Sequence, residues 1–321
     1  MADLESLWKS LPSALAKIIQ ENSSCSLEHL EEIRLRLGQP ILLKAEGKWF
    51  PCVTKNDKNR HIFSNCDMKA CISLLSAYSL YAFAEEIRQG FLTIEGGHRI
   101  GFCGKAVMED GKIKTLHPIS SLNIRIAREV RGCADHILPY LFEDGHFCHT
   151  IILSPPGCGK TTLLRELIRN LSRAEGGYAV GVVDERGEIA GMCGGIAQMD
   201  LGECTDVISG CPKAEGMLLL LRSMSPQIIA VDELGRESDF LAASDLIHAG
   251  VKLLCTVHGS SLEELEKRVF LGTMMAHHVV ERYVILSASQ GVGTVEAILD
   301  GTGRAIYKKG GASWYKASGF A

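Results

Sequence analysis

The feature that most constrains the fold is a glycine-rich segment between an apolar run and a helical pattern. The segment reads SPPGCGKTT from Ser154 to Thr162 and directly follows the apolar run Thr150–Leu153. Leucine and isoleucine then recur at helical spacing from Leu163 to Leu171. A strand, a glycine-rich loop and a helix in this order are typical of a phosphate-binding loop, whose backbone N–H groups surround phosphate oxygens. The sequence therefore predicts a nucleotide-binding α/β domain.

The residues of this loop have separate predicted roles. We expect Lys160 to bring a full positive charge to the β- and γ-phosphates of ATP and Thr161 to offer its hydroxyl group to Mg²⁺. Ser154 stands where such loops usually begin with glycine, so we expect a loop entry that an L-residue can adopt. The alternative is a glycine-rich turn before a structural helix. The predicted nucleotide-binding residues of the loop are Ser154, Pro155, Pro156, Gly157, Cys158, Gly159, Lys160, Thr161 and Thr162.

A second motif contributes carboxylates. The apolar run Ile228–Val231 is followed at once by Asp232 and Glu233. Ligands of open α/β sheets bind beyond the carboxyl ends of the strands, which would bring these acids beside the phosphates. We expect Asp232 to hold Mg²⁺ through water and Glu233 to be the catalytic general base for the attacking water. A solvated acidic loop is the alternative interpretation.

Two further strand ends carry polar residues. Asp184 and Glu188 follow the apolar run Ala179–Val183, and His258 follows the run Leu253–Val257. Because the carboxyl ends of parallel strands meet at one edge of a sheet, we predict that both acids lie at the nucleotide. The histidine is predicted to contact the γ-phosphate and to report its loss. The alternatives are a salt-bridged loop for the acids and a capped strand end for the histidine.

Short apolar runs alternate with helical patterns after about residue 131, which favours a mainly parallel sheet with helices on both faces. The predicted fold is α/β, a RecA-like P-loop ATPase domain at residues 131–310 preceded by a smaller α+β domain at residues 1–130. A flexible tail is predicted at residues 311–321. In the first domain we predict helices at 5–20, 27–35 and 67–87, strands at 41–43, 112–116 and 122–126, and glycine-rich strands and turns over 89–107. In the second domain we predict strands at Thr150–Leu153, Ala179–Val183, Ile228–Val231, Leu253–Val257 and Tyr283–Leu286.

The composition of the chain excludes several classes of protein. A net charge of -4 and a pI of about 6.3 give no overall basic surface, so we expect no nucleic-acid partner. The twelve cysteines are scattered, which favours reduced thiols in a cytoplasmic protein. A metal site at Cys193, Cys204 and Cys211 is disfavoured, because no histidine stands at the spacing of a zinc ligand. No apolar run reaches the roughly 18 residues that span a membrane.

The order of these motifs resembles that of the secretion-type ATPases, hexameric P-loop enzymes that drive type II and type IV secretion and pili. Asp184–Glu188 is similar to the acidic box of that family, and Leu221–Pro226 resembles its LR-containing segment. Val231–Glu237 resembles its catalytic strand end, and His248–Gly250 with Thr256–His258 resembles its His box. The resemblance covers roughly residues 130–275. It implies hydrolysis of ATP with Mg²⁺ by a ring of subunits, for which a hexamer is expected.

Over most of its length, the chain also resembles the stage III sporulation AA family of endospore-forming bacteria. This resemblance rests on Glu32–Gly38 with Pro40, on Glu86–Gly90 followed by Gly97–Gly101, and on Leu122–Glu129. It implies a motor that energises a channel between mother cell and forespore. Membrane channel proteins of the sporulation apparatus are the implied partners, and they would recruit the chain to the inner face of a membrane.

Four arginines are candidates for neutralising charge in the transition state. An arginine finger can raise the rate of a P-loop enzyme by about 10³–10⁵. Arg222 precedes the acidic strand and is predicted to be catalytic, while Arg99, Arg125 and Arg128 lie in the first domain or at its end. Residues three apart on a strand face opposite sides, so only one of Arg125 and Arg128 can serve a given nucleotide. Which of the three reaches the nucleotide stays open, and for each the alternative is a solvated or salt-bridged side chain.

Three other functions are compatible with a P-loop. A nucleic-acid-dependent ATPase is the main alternative, and stimulation by single strands that fades with salt would favour it. A small-molecule kinase would yield a phosphorylated product instead of free phosphate. A nucleotide-binding assembly protein would keep its function after Glu233→Gln.

Overall fold

A computed structural model of the chain describes residues 4–53, 60–76, 87–88 and 90–310. The chain forms two compact units. Unit 1 comprises Met1–Glu129 and Gly191–Gln198, and unit 2 comprises Val130–Ala190 and Met199–Ala321. The sequence-based division after residue 130 does not anticipate that residues 191–198 belong to unit 1. The tail predicted at 311–321 lies outside the described residues.

Unit 1 contains an antiparallel sheet of six strands within the described residues, in the order β3-β2-β1-β6-β5-β4. Alternate residues of the central strands point to the core, as with Ile33 and Leu35, which are fully buried. The strands are β1 Leu30–Arg36, β2 Leu42–Ala45, β3 Lys48–Pro51, β4 Phe91–Thr93, β5 Arg99–Glu109 and β6 Lys112–Arg125.

Helices cover the apolar face of this sheet. Their buried residues, such as Leu7, Leu15 and Ile19, join the strand residues in one core. Pro12 ends the single helical pattern predicted at 5–20 and makes it two helices, because proline starts a helix well but cannot sit inside one. The described helices are α1 Leu4–Lys9, α2 Ser13–Gln20 and α3 Asn65–Ser76, with 3₁₀ turns at Leu27–His29 and Glu95–Gly97.

The helix predicted at 27–35 is wrong, because this segment is a 3₁₀ turn followed by strand β1. A β-bulge at Glu31 places Leu30 on the same buried face as Ile33 and Leu35. The buried residues Leu30 and Ile33 are therefore three positions apart, which is also the spacing of a buried helix face. The two strands predicted at 112–116 and 122–126 form one strand, β6. The helix predicted at 67–87 is present as far as Ser76, and its residues 77–86 lie outside the described part.

Unit 2 is built around a sheet of eight described strands in the order β11-β10-β12-β13-β9-β14-β15-β16. The strands from β11 to β14 are parallel, and β15 and β16 add an antiparallel edge. All five strands predicted in this domain are confirmed. The bounds are β9 Thr150–Ser154, β10 Val180–Asp184, β11 Thr205–Ser209, β12 Ile228–Val231, β13 Lys252–His258, β14 Arg282–Ser287, β15 Thr294–Asp300 and β16 Ala305–Lys308, with a separate hairpin of β7 Phe142–Glu143 and β8 His146–Phe147.

Helices bury both faces of this sheet. Successive residues of a strand face opposite sides of the sheet, and in β9 and β13 the residues on both sides are buried. Leu253 and Leu254 of β13 are an example. The helices are α4 Lys160–Leu171, α5 Lys213–Ser223, α6 Glu237–His248, α7 Leu262–Glu266 and α8 Val269–Ala276, with a 3₁₀ turn at Leu138–Leu141. Within the described ranges, none of the helices is long and apolar enough to cross a membrane.

Replacing Leu254 with alanine tests the core of unit 2. Leu254 is fully buried in β13, between β9 and β12, so its truncation leaves a cavity. We expect Leu254→Ala to lower the free energy of unfolding by about 2–5 kcal/mol, measured by chemical denaturation. The matched control is Leu241→Ala on α6, where the side chain is 57% exposed and the change should stay within about 0.5 kcal/mol. Equal effects of the two substitutions would contradict this core.

Candidate active site

The carboxyl ends of four neighbouring parallel strands bring the predicted motifs together. Strands β10, β12, β13 and β9 are adjacent in the sheet. His258, the last residue of β13, pairs with Ser154 at the start of the phosphate loop, and Asp184 ends β10. Asp232 and Glu233 directly follow β12. The topology therefore gathers the loop, the acids and the histidine at one edge of the sheet.

The phosphate loop has a backbone that glycine makes possible. Gly157 and Gly159 have φ angles of +75° and +87°, in the left-handed region that favours glycine. A Cβ atom at Gly159 would also lie 3.2 Å from the backbone of Gly293, which is tighter than an ordinary contact. Ser154 is not among the residues with positive φ, so the loop entry is open to an L-residue, as the sequence predicts.

The side chain of Lys160 lies across the loop that carries it. Its ammonium group donates to the carbonyl oxygens of Ser154 at 3.0 Å and Pro155 at 3.2 Å. It also lies 2.9 Å from Nδ1 of His258. Burial lowers the pKa of Lys160, and the negative charges of Asp232 and Glu233 oppose that effect. A buried cation is thus held beside the two carboxylates.

Thr161, Asp232 and Thr256 form a connected group of oxygen atoms. The Thr161 hydroxyl donates to Oδ2 of Asp232 at 2.9 Å, and the Thr256 hydroxyl donates to Oδ1. Thr256 is fully buried, and its hydroxyl oxygen also accepts from the backbone N–H of Glu233 at 2.9 Å. Thr256 therefore fixes the side chain of Asp232 and the backbone of Glu233.

Both carboxylate oxygens of Glu233 have hydrogen-bond partners. Oε1 lies 2.6 Å from Nε2 of His258, and Oε2 accepts from the guanidinium of Arg186 at 2.9 Å. Burial raises the pKa of Glu233, but the hydrogen bond from His258 and the positive charges of Arg186 and Lys160 outweigh it and hold this pKa below its usual value. Glu233 also has a φ of +50°, an uncommon conformation that recurs at functional sites.

His258 connects the lysine to the glutamate. The Lys160 ammonium can only donate, so Nδ1 of His258 must accept its hydrogen bond. The imidazole then carries its proton on Nε2 and donates it to the Glu233 carboxylate. These two contacts fix the tautomer of the histidine and form one line of hydrogen bonds from Lys160 to Glu233.

The acidic box is a loop whose shape is fixed by its first residue. The Asp184 carboxylate is buried and accepts from the backbone N–H groups of Glu188, Ile189 and Ala190 at 2.8, 3.1 and 2.8 Å. Arg165 on α4 donates to two carbonyl oxygens of the same loop. Asp184 therefore supports the loop that carries Glu188. The predicted contacts of both acids with nucleotide stay predictions.

The structure does not bring Arg222 to this site. Arg222 is exposed in the last turn of α5, and the chain then leads to the first residue of β12. The acids lie at the other end of β12, about 13 Å further along the strand. A catalytic contact of Arg222 with the same chain's phosphate loop is thus incompatible with this fold.

The three arginines near the end of unit 1 differ in their surroundings. Arg99 and Arg125 are direct cross-strand partners on β5 and β6. The Arg99 guanidinium stacks over the ring of Phe91 at 3.7 Å, whereas Arg125 is exposed at the end of its strand. Arg128 donates to two backbone carbonyl oxygens of unit 1, which fixes its guanidinium there. Arg125 is therefore the best-placed of the three to reach another molecule.

The profile of the family described as sporulation stage III, protein AA matches residues 2–306. The chain belongs to this family. Stage III sporulation protein AA of Bacillus subtilis (strain 168) is 38% identical over 305 residues, which cover 94% of this chain and 96% of that protein. The uncharacterized protein ycf45 of Porphyra purpurea is 33% identical over 201 residues, 58% of this chain and 34% of that protein.

Two solved structures share the fold of this chain. The ATPase DotB of Legionella pneumophila is similar with a TM-score of 0.53 and 17% identity, over 80% of this chain and 72% of that one. The pilus retraction motor PilT, solved with bound ADP, is similar with a TM-score of 0.55 and 14% identity, over 84% and 76%. The predicted RecA-like core with a smaller α+β part before it is confirmed by this likeness.

Sequence reasoning missed two residues of the site in this member of the sporulation stage III AA family. Thr256 lies two residues before His258 on β13, so strand alternation could have placed both on the side of the acids. Arg186 stands inside the acidic box, where no local pattern distinguishes a buried from an outward side chain. Its contact with Glu233 depends on the loop shape that Asp184 imposes.

Replacing Asp184 tests its structural role. Asp184→Ala leaves three backbone N–H groups of the acidic box without their acceptor. We expect the free energy of unfolding to fall by about 3 kcal/mol, measured by thermal and chemical unfolding. Asp184→Asn, which keeps one acceptor oxygen, should lose less. Unchanged stability of the alanine variant would show that the carboxylate does not hold the loop.

Proposed function

We propose that the chain is an ATPase that hydrolyses ATP with Mg²⁺ and energises a channel or transport complex between mother cell and forespore during sporulation. The observation that carries the ATPase part is the convergence of Lys160, Asp232, Glu233 and His258 at one edge of a parallel sheet. The sporulation part is supported by membership of the sporulation stage III AA family.

The residues at this edge fit a magnesium–nucleotide complex. The glycine φ angles at 157 and 159 give a loop of the type whose N–H groups surround phosphate oxygens, at the first turn of α4. Lys160 holds the β- and γ-phosphates by its charge. Thr161 and Asp232, whose oxygens lie 2.9 Å apart, would hold Mg²⁺, directly or through water. When bound there, Mg²⁺ neutralises charge on the phosphate oxygens.

Glu233 acts on the attacking water in this mechanism. Its carboxylate is ionised at neutral pH, because its pKa lies below the usual value, and it can accept a proton from water. His258 orients the carboxylate through Oε1. A phosphate that draws the Lys160 ammonium away would free Nδ1 of His258, so the histidine can report occupancy of the loop to Glu233.

The charge that completes the transition state would come from another copy of the chain. Arg222 is remote from the loop of its own chain, and Arg128 is bound to backbone carbonyls. Arg125 is exposed, and its planar guanidinium suits phosphate. We assign Arg125 as the arginine finger of a ring, with a hexamer as the expected size. Membrane channel proteins of the sporulation apparatus are the proposed partners of that ring.

Replacing Glu233 separates binding from hydrolysis. Glu233→Gln removes the base and leaves Lys160 and the loop in place, so Mg-ATP should still bind while the turnover falls by about 10²-fold or more. Titration with a fluorescent ATP analogue and release of inorganic phosphate measure the two effects. Glu215→Gln, an exposed glutamate on α5, is the matched control and should keep wild-type turnover. Normal phosphate release by Glu233→Gln would contradict the proposed role of this carboxylate.

Mixing two inactive variants tests the finger from a neighbour. Arg125→Ala should lower turnover by about 10³-fold, because the transition-state charge is lost, and Lys160→Ala should abolish nucleotide binding. A mixture contains interfaces at which an intact loop meets an intact Arg125. Part of the wild-type phosphate release should then return. A mixture as inactive as its components would exclude Arg125 as a finger in trans.

A further inference from the structure

Arg186 binds the carboxylate that the proposed reaction needs. Its guanidinium lies 2.9 Å from Oε2 of Glu233, while Oε1 is bound by His258. A general base must accept a proton through an oxygen that comes within about 2.6–3.2 Å of the water. An oxygen that is already bound to a guanidinium is a weaker base, because part of its charge is neutralised. In this conformation, both oxygens of Glu233 already accept a hydrogen bond from a side chain, and Oε2 carries the bond that weakens its basicity most.

The position of Arg186 allows its guanidinium to move without a change in the loop. The Arg186 side chain is 56% exposed, whereas that of Glu233 is 28% exposed. The loop backbone is fixed from within by the buried carboxylate of Asp184. The ion pair therefore has one anchored partner and one partner that can rotate into solvent.

Other charges near the pair direct Arg186 towards Glu233. The adjacent acid, Glu185, is bound by Lys213, whose side chain is only 8% exposed, and lies 3.8 Å from Arg236. The negative charge of Glu185 is thus already neutralised by two cations, and Arg186 forms its ion pair with Glu233 instead. The remaining ionisable groups that face this pair are Asp184, Glu188, Asp232, Lys160 and His258.

We propose that Arg186 is a positioning residue that restrains Glu233, and that displacement of its guanidinium frees Oε2 for the attacking water. The inference rests on the proposed ATPase function. While the ion pair is closed, Oε2 of Glu233 is bound to Arg186 instead of to the attacking water, and hydrolysis is slow. When it opens, the same carboxylate becomes a stronger base, with His258 still orienting its other oxygen.

Loss of Arg186 distinguishes a restraint from a purely structural contact. Removing a restraint on Glu233 raises kcat and leaves KM nearly unchanged. Removing an arginine that only stabilised the loop would lower kcat or leave it as it is.

The test uses the full chain with two substitutions of Arg186 and two controls. Phosphate release is measured against Mg-ATP concentration for the wild type, Arg186→Ala, Arg186→Lys, Glu233→Gln and Arg268→Ala, which gives kcat and KM separately. Arg268 is the matched control, because it pairs with Glu264 at 2.6 Å on the surface of unit 2.

We expect Arg186→Ala to raise kcat at neutral pH about threefold with little change in KM, the size expected for a partly exposed ion pair. Arg186→Lys keeps a positive charge that can bind Oε2, so its kcat should lie closer to the wild type than that of Arg186→Ala. Arg268→Ala should behave as the wild type throughout.

The outcomes separate this inference from the function on which it rests. If the wild type hydrolyses ATP, Glu233→Gln does not, and kcat of Arg186→Ala is lower than or equal to that of the wild type, the restraint by Arg186 is excluded and the ATPase stands. If the wild type binds no Mg-ATP and releases no phosphate, both proposals fall together. A rise in kcat with little change in KM for Arg186→Ala, but not for Arg268→Ala, supports the restraint.

Discussion

A line of hydrogen bonds from Lys160 through His258 to Glu233 is the interaction on which the proposed chemistry depends. The lysine can only donate and the carboxylate can only accept, so the imidazole between them is restricted to a single tautomer. The cation proposed to bind phosphate and the anion proposed to activate water are thereby connected through one ring. A ligand that draws Lys160 away from the ring removes the hydrogen-bond partner of Nδ1 of His258. Through the histidine, it also changes the hydrogen bonding of Glu233.

Parallel topology makes this arrangement possible with few specialised residues. The phosphate loop, Asp232 and His258 belong to different segments, but each stands where a parallel strand ends. Side chains that are far apart in sequence are therefore brought together by the backbone register. Buried partners then set their orientation: Thr256 fixes Asp232, and Asp184 fixes the loop that carries Arg186. Burial strengthens these contacts, because the surrounding medium is less polar than water.

The sequence predicted the parts of the fold that depend on local pattern. The five strands predicted in unit 2 and the glycine-rich loop Ser154–Thr162 follow from apolar runs and glycine spacing. It failed where a local irregularity changed the pattern, as the bulge at Glu31 did for the first strand of unit 1. Contacts between distant segments, such as Arg186 with Glu233, could not be predicted because they depend on a loop shape set by buried hydrogen bonds. Arg222 lies away from the acids of its own chain for a related reason, since it precedes β12 and the acids follow that strand.

The most direct test of this account is the ¹⁵N NMR spectrum of the His258 imidazole, recorded before and after addition of a non-hydrolysable Mg-ATP analogue. The account predicts a neutral ring protonated on Nε2 in the protein alone. Saturating nucleotide should then shift the Nδ1 resonance, as the Lys160 ammonium moves from the ring to the phosphates. A ring protonated on Nδ1, or a spectrum that saturating nucleotide leaves unchanged, would contradict the link between the phosphate loop and Glu233.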